Sequence, residues 1–483
     1  MACNITNAQQ GIFSTTTDIG KPKLSGTVTF NESNQKYTLK GAGANIWGQK
    51  DEFQYCYNKL SGDFILTANF RFEGNNEIHR KMGWMVRATE DEDAIMCGAF
   101  VHGDGLTALQ WRERKGTMMQ NPIDEVWAPK RYYEVIQLER RGKEFIMRAA
   151  NLGEPLQVIG QKIIEHMPVT ALAGLVICSH DENVVETAYA WNVRIDQFAT
   201  SDFKPGCRLE VMNVFDGVRK VIYENTLFEA PNWMPNGSKL LFNMGGSAYL
   251  IPIQGGEIEK VNTGSAARLN NDHCISFDGK LLGISHNDGK GSNIFVLPLG
   301  GGEPQKVTTE APSYLHGWAP NNKEVVYVAM RDGSKVYNIY RKNIKGGVEE
   351  KLTDIGKNEH VDGCEYSPDG KYIYYNGSVN GGTMQIWRMK PDGSEKEQLT
   401  FDEYNNWFPH ISPDGKWMVI ISFLPDIILN SHPPHQNVML RLMPVSGGAP
   451  KVIAWLYGGQ GTINVNSWSP DSKSIAFVSN SGK

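Results

Sequence analysis

The strongest constraint on this chain is a short phrase that returns at near-regular intervals through its second half. Its clearest copies are Ser367-Pro-Asp-Gly-Lys371 and Ser412-Pro-Asp-Gly-Lys416. Looser copies are Met234-Pro-Asn-Gly237, Ser276-Phe-Asp-Gly279, Ala319-Pro-Asn-Asn322 and Ser469-Pro-Asp-Ser472. This is hairpin chemistry: proline presets φ, the Asp side chain caps the turn, and glycine takes the position that needs φ > 0. Runs such as Tyr372-Ile-Tyr-Tyr and Met418-Val-Ile-Ile follow, β-rich and too short for helices. A second register of turns falls at Asp216-Gly217, Gly255-Gly256, Gly301-Gly302, Gly346-Gly347, Asp392-Gly393 and Gly447-Gly448. Each register has six turns, and the inner ones recur every 42 to 57 residues. Three or four short strands at that period describe a propeller blade. The registers are out of phase, because Asp216-Gly217 precedes every inner turn and Ser469-Pro-Asp-Ser472 has no outer turn after it. One blade is therefore expected to be split, with inner strands from about 465–479 and outer strands from about 207–223. Residues 205–483 are read as a six-bladed β-propeller closed by its own two ends.

At 483 residues the chain exceeds one ordinary core, so a second domain is expected. Residues 10–200 carry about a dozen period-two runs, among them Asp63-Phe-Ile-Leu-Thr-Ala-Asn-Phe-Arg-Phe72 and Ala188-Tyr-Ala-Trp-Asn-Val-Arg-Ile195. They predict a two-sheet sandwich and an all-β protein. The net charge of −5 and the lack of a basic stripe argue against nucleic acid. No apolar run is long enough to span a membrane. The seven cysteines are scattered without a Cys-x-x-Cys pair, so neither a zinc site nor a disulfide framework is indicated. Residues 1–8 read either as an ordinary chain start or as a signal-peptide remnant, with Cys3 a candidate lipid-anchor site.

Two resemblances extend this reading. Gly83-Trp-Met-Val-Arg87, Ala173-Gly-Leu-Val-Ile-Cys-Ser-His180 and Trp191-Asn-Val-Arg-Ile195 make residues 10–200 resemble concanavalin A-like, laminin G-type jelly rolls of carbohydrate-related proteins. In such a domain Trp47, Trp84, His102 and Trp111 are candidates for a concave sugar-binding face, with core packing the alternative for each. His79, Asp104 and His180 are weaker candidates. The Ser-Pro-Asp-Gly-Lys repeat, with a following Leu-Thr or Val-Thr, resembles the TolB-like (WD40-like, PD40) propellers over residues 205–483. That resemblance implies a periplasmic, cell-surface or secreted protein, and leaves activity open because the fold serves binders, lyases and peptidases. A prolyl oligopeptidase-type activity is disfavoured, since no Gly-x-Ser-x-Gly elbow occurs.

Candidate chemistry lies where the innermost strands enter the channel. Counting back from each inner turn places His273, His316, His360 and His410 on consecutive blades, with Asp272, Asp362 and Glu365 beside them. An insertion in the fifth blade brings His432 and His435 to the same end, and a Gly-rich entry carries Asn464 and Asn466. Imidazoles with carboxylates suit a divalent metal or general acid–base work. Oligogalacturonate lyases are similar propellers with metal-binding histidines at this mouth, an arrangement that His360 and His410 resemble, without carrying over substrate or mechanism; one divalent ion held by His273, His316, His360 and His410 is the expectation. His360, His410, Asp362 and Glu365 are the candidate catalytic groups. His273, His316, Asp272, Arg331, Trp407, His432, His435, Asn464 and Asn466 are candidates for substrate contact. The expected ligand is an oligo- or polysaccharide. Two functions compete: a carbohydrate-active lyase or hydrolase, favoured by the histidine density, and a non-catalytic envelope module that binds glycan or protein. A monomer or weak oligomer is expected.

Overall fold

The structure is a computed structural model that describes residues 11–481 apart from 202, 380 and 429. Cys3 and the start of the chain lie outside the described residues. All regular elements described are strands. Among the described residues no helix is long and apolar enough to cross a membrane. The six described cysteines are free and buried. The chain divides into two compact units between Phe198 and Ala199.

The first unit holds two seven-stranded antiparallel sheets. Phe53–Ser61, Thr170–Cys178, Lys81–Arg87, Met96–His102 and Thr107–Arg112 run side by side in one sheet. Val135–Arg141, Phe64–Phe72, Asp181–Gln197 and Lys36–Gly43 run side by side in the other. Alternate residues of both feed one apolar core that includes Leu39, Phe64, Phe70, Trp84, Leu109 and Ile136. Trp84 and Trp111 belong to this core. Trp47 packs on a second apolar cluster around Phe53 and Phe100. His102 is buried with neither ring nitrogen hydrogen-bonded, and burial lowers its pKa to about 3. Asp104 is paired with Arg131. The expected open aromatic face is thus not assembled from these residues, because period-two alternation fills the space between the sheets with Trp84 and Trp111. One polar tie is buried beside the second cluster. Asp51 takes both terminal nitrogens of Arg112 at 2.7 Å, with Arg87 at 3.4 Å, all three side chains fully buried.

The second unit is the six-bladed propeller. Five blades are four-stranded and sequential, and their innermost strands are Glu229–Trp233, Leu269–Ile275, Ser313–Trp318, His360–Tyr366 and Asn405–Ile411. In the sixth, Ser474–Ser481 pairs with Gly206–Asn213, which pairs with Arg219–Asn225, and Trp468 bridges to Ile475 on the inner side. Val211 lies opposite Ala476, so the split blade falls where the turn registers put it.

The inner turns show why the repeated phrase is so insistent. Ser276, Ser367, Ser412 and Ser469 each donate Oγ–H to the Asp two residues on, at 2.6–2.8 Å. The backbone N–H of Gly279, Gly370 and Gly415 closes each turn onto the serine carbonyl. These glycines sit at φ 67°, 71° and 70°, where a Cβ is penalised. Ser472 occupies the same place at φ 59° in the last copy.

Candidate functional site

Each of the five innermost strands breaks register once. The shifts fall between Glu229 and Asn232, Leu269 and His273, Leu315 and Gly317, Asp362 and Glu365, and Trp407 and His410. Such bulges insert unpaired residues and re-aim side chains. Ala230, Gly363 and Phe408 adopt φ of 53°, 56° and 51° there. The residues freed from the ladder include Asn270, Asn271, Asp272, His316 and Phe408, and all five line one cavity of about 460 Å³. Glu229, Tyr314, Tyr337, His360, Asp362 and His432 also line it, with Gln460 and Asn464 from the Gly-rich segment.

Asp362 is the hub. Its Oδ1 accepts a hydrogen bond from His316 Nε2 at 2.8 Å. Its Oδ2 lies 3.7 Å from His432 Nε2 and 4.0 Å from His360 Nε2. Burial opposes charge on this pair, but each partner outweighs it for the other. His316 is held above the ordinary imidazole value, and Asp362 well below the usual carboxylate range. His360, farther from the carboxylate, has its pKa pushed down by burial. Asp272, the second buried carboxylate, is raised to about 6 by burial, with His316 opposing and Asp362 adding to the shift. Its Oδ2 accepts from Asn270 Nδ2 at 2.7 Å. Trp407 stands behind the cavity, fully buried, its ring 4.3 Å from that of His432 and 5.5 Å from that of His360. Asn464 is fixed by Gly461 N–H and by Gln460.

The remaining candidates are placed elsewhere. His410 gives Nδ1 to Glu365 Oε2 at 2.8 Å and Nε2 to the Ile463 carbonyl at 2.7 Å, so both ring nitrogens are committed. Glu365 Oε1 also accepts from Ile411 N–H and Asn466 Nδ2. His273 is buried on Asn232 through Nδ1 at 2.8 Å, and Asn232 in turn reaches the Asn466 carbonyl. Trp318 Nε1 reaches the Cys274 carbonyl, and Trp468 Nε1 the His410 carbonyl. These contacts, with His316–Asp362, form a belt of cross-blade ties around the channel.

The four-histidine metal set is therefore not what the fold assembles. His410 has no free nitrogen, and His273 is a tie between the first and second blades. Among the described residues no group of three or more His, Cys, Asp or Glu is arranged to hold a metal ion. Glu365 and Asn466 face a second recess of about 310 Å³ near the inner turns, which His316 also borders. Arg331 is spent on both oxygens of Glu349, on Ser313 and on two backbone carbonyls. His435 stacks on Tyr457, away from the cavity. His432, expected to reach in from above, instead joins the Asp362 cluster. Glu229, Asn270, Tyr337, Phe408 and Gln460 are lining residues that the turn count did not find. Bulges free Asn270 and Phe408, and no residue pattern announces a bulge; Glu229 opens its innermost strand, while Tyr337 and Gln460 come from loops outside the strands counted.

The comparisons agree with this architecture. The profile of the PD40 TolB β-propeller domain matches residues 316–429. An uncharacterized protein of Agrobacterium fabrum, Atu1656, is 43% identical over 274 residues, covering 56% of this chain and 91% of the relative. A solved structure from Agrobacterium tumefaciens, described as TolB, is 41% identical with a TM-score of 0.54, covering 58% of this chain and 99% of that one. A manganese-bound oligogalacturonate lyase is 12% identical with a TM-score of 0.37, covering 71% of this chain and 87% of that one, and carries no argument about metal or substrate here. The chain belongs to the TolB-like β-propeller family.

Proposed function

We propose that the protein is an envelope glycan-binding protein whose propeller cavity holds the end of an oligosaccharide, with Asp362 and its histidines positioned for acid–base chemistry on it. The observation that carries this reading is the cavity wall. Amide and carboxylate groups from Asn270, Asn271, Asp272 and Asn464 share it with the rings of Tyr314, Tyr337 and Phe408. Sugars present that mixture of hydroxyl edges and apolar faces. A volume of about 460 Å³ suits one or two sugar residues. His360, its pKa lowered and beside a carboxylate, has the properties of a general base, and His316, its pKa raised by Asp362, those of an acid. The concanavalin A-like reading of the first unit, proposed on its two facing sheets, and the envelope location, proposed from family membership, fit a glycan ligand.

A non-catalytic TolB-type binding module is the second reading. It is favoured by His410 and His273, which serve as ties between blades rather than reactive groups. Isothermal titration against a panel of neutral, acidic and amino oligosaccharides, with product analysis of the same mixtures, separates the two. Saturable binding with chain cleavage that His360→Ala abolishes supports acid–base chemistry. Binding without cleavage supports the module, and no binding to any saccharide defeats both glycan readings.

A further inference from the structure

The charge of the cavity narrows the ligand. Three carboxylates line it, Glu229, Asp272 and Asp362, and no lysine or arginine does among the described residues. Asp362 is neutralised by His316. Asp272 is not neutralised. It is 7% exposed, receives the Asn270 amide on Oδ2, and has no hydrogen bond to Oδ1 among the described residues. Oδ1 thus borders the cavity without a protein donor and is open to a donor from a ligand. Across the same space stand Tyr314, Tyr337 and Phe408, whose ring faces attract cations. An anionic ligand would bring like charge against Asp272 and Glu229, and His316, the histidine whose pKa is raised, is already paired with Asp362.

Resting on the glycan reading, we propose that the sugar recognised here carries a free ammonium group, an amino sugar rather than a uronate, and that Asp272 is the residue that receives it. The ammonium donates to Asp272 Oδ1, Glu229 completes the negative field, and the ring hydroxyls meet Asn271 and Asn464. N-acetylation removes the charge and adds bulk, and a uronate reverses the charge.

The test is titration of the full chain with the glucosamine disaccharide, its N-acetylated counterpart and digalacturonate. The amino disaccharide is expected to bind at least about tenfold more tightly than either of the others. Asp272→Asn is expected to remove most of that preference, weakening binding of the amino sugar far more than that of the N-acetylated one. If Asp272→Asn fails to fold, Glu229→Gln and the salt dependence of the wild-type protein carry the test. Added salt should weaken binding of the amino sugar and spare the N-acetylated one. Equal or tighter binding of digalacturonate or the N-acetylated sugar overturns the ammonium assignment and leaves the glycan reading standing. If none of the three binds, this assignment falls, and the neutral oligosaccharides of the wider panel decide the glycan reading.

Discussion

Two histidines one blade apart illustrate how differently the same residue can be used. His360 enters the fourth blade with its side chain about one-fifth exposed and Nε2 unpaired, bordering the cavity. His410 enters the fifth blade 3% exposed with both nitrogens paired, one of them to Glu365. Truncating His410 leaves a buried carboxylate with only its Ile411 and Asn466 donors and an orphaned carbonyl at Ile463. Breaking a buried pair on one side costs about 3 kcal/mol. His360→Ala removes no hydrogen bond of the ring and is expected to cost less than about 1 kcal/mol. Urea denaturation of the two variants checks this. A His410→Ala protein as stable as wild type would show that the belt contributes nothing. The sequence put both histidines in one window and read them as equivalent. Residue type and spacing could say that they enter the channel, but not which nitrogen meets which carboxylate, because the partners lie 45 and 53 residues away on other blades.

At the level of strands, the turns were legible and the bulges were not. Ser-Pro-Asp-Gly fixes its own geometry within five residues, so local chemistry is enough to locate every inner turn and to infer the split blade. A bulge in the innermost strand answers to neighbours on the adjoining blade. Gly363 shows the dependence. It lies at φ 56°, and a Cβ there would stand 2.5 Å from Asn376 Oδ1 and 2.8 Å from Phe408 Cδ1. Asn376 Oδ1 accepts the backbone N–H of Phe408, itself at a positive φ. Two bulges on neighbouring blades are thus locked through one amide. Gly363→Ala adds left-handed strain of about 1–2 kcal/mol and a clash of about 1–3 kcal/mol. The expected result is a fall in stability of about 3 kcal/mol together with weakened ligand binding, since Asp362 and Phe408 flank the altered backbone. Binding at wild-type strength in a destabilised protein would show that the bulge is structural only. The sandwich was legible to a similar depth. Period-two patterning identified its strands, but without the strand order it left Trp84 and Trp111 open between a concave face and the core, and both pack in the core.

The propeller as a whole depends on one strand. Ser474–Ser481 is the middle of the split blade, paired from Gly206 to Asn213 on one side and bridged to Trp468 on the other. Ile475, Ala476 and Phe477 are fully buried and Val478 is 2% exposed. Ile475 and Phe477 pack with Met212, Trp407 and Trp468. Ala476 and Val478 pack with Leu209, Phe228 and Phe242 of the first and sixth blades. Alternate residues of one strand thus serve the fifth blade on one face and the first on the other, which is how the ring is held shut. Burial of Ile475, Phe477 and Val478 contributes about 1.5–3 kcal/mol each, a sum comparable to the net stability of an ordinary domain. Phe477→Ala is therefore expected to cost about 3–5 kcal/mol. Because every blade leans on the next, the whole propeller should melt earlier as one transition rather than lose the sixth blade alone. Calorimetry combined with hydrogen exchange checks both parts. Exchange confined to residues 206–225 and 474–481, with the other blades still protected, would show that closure is a local clasp. Faster exchange in all six blades would place the closing strand at the centre of the propeller's cooperativity.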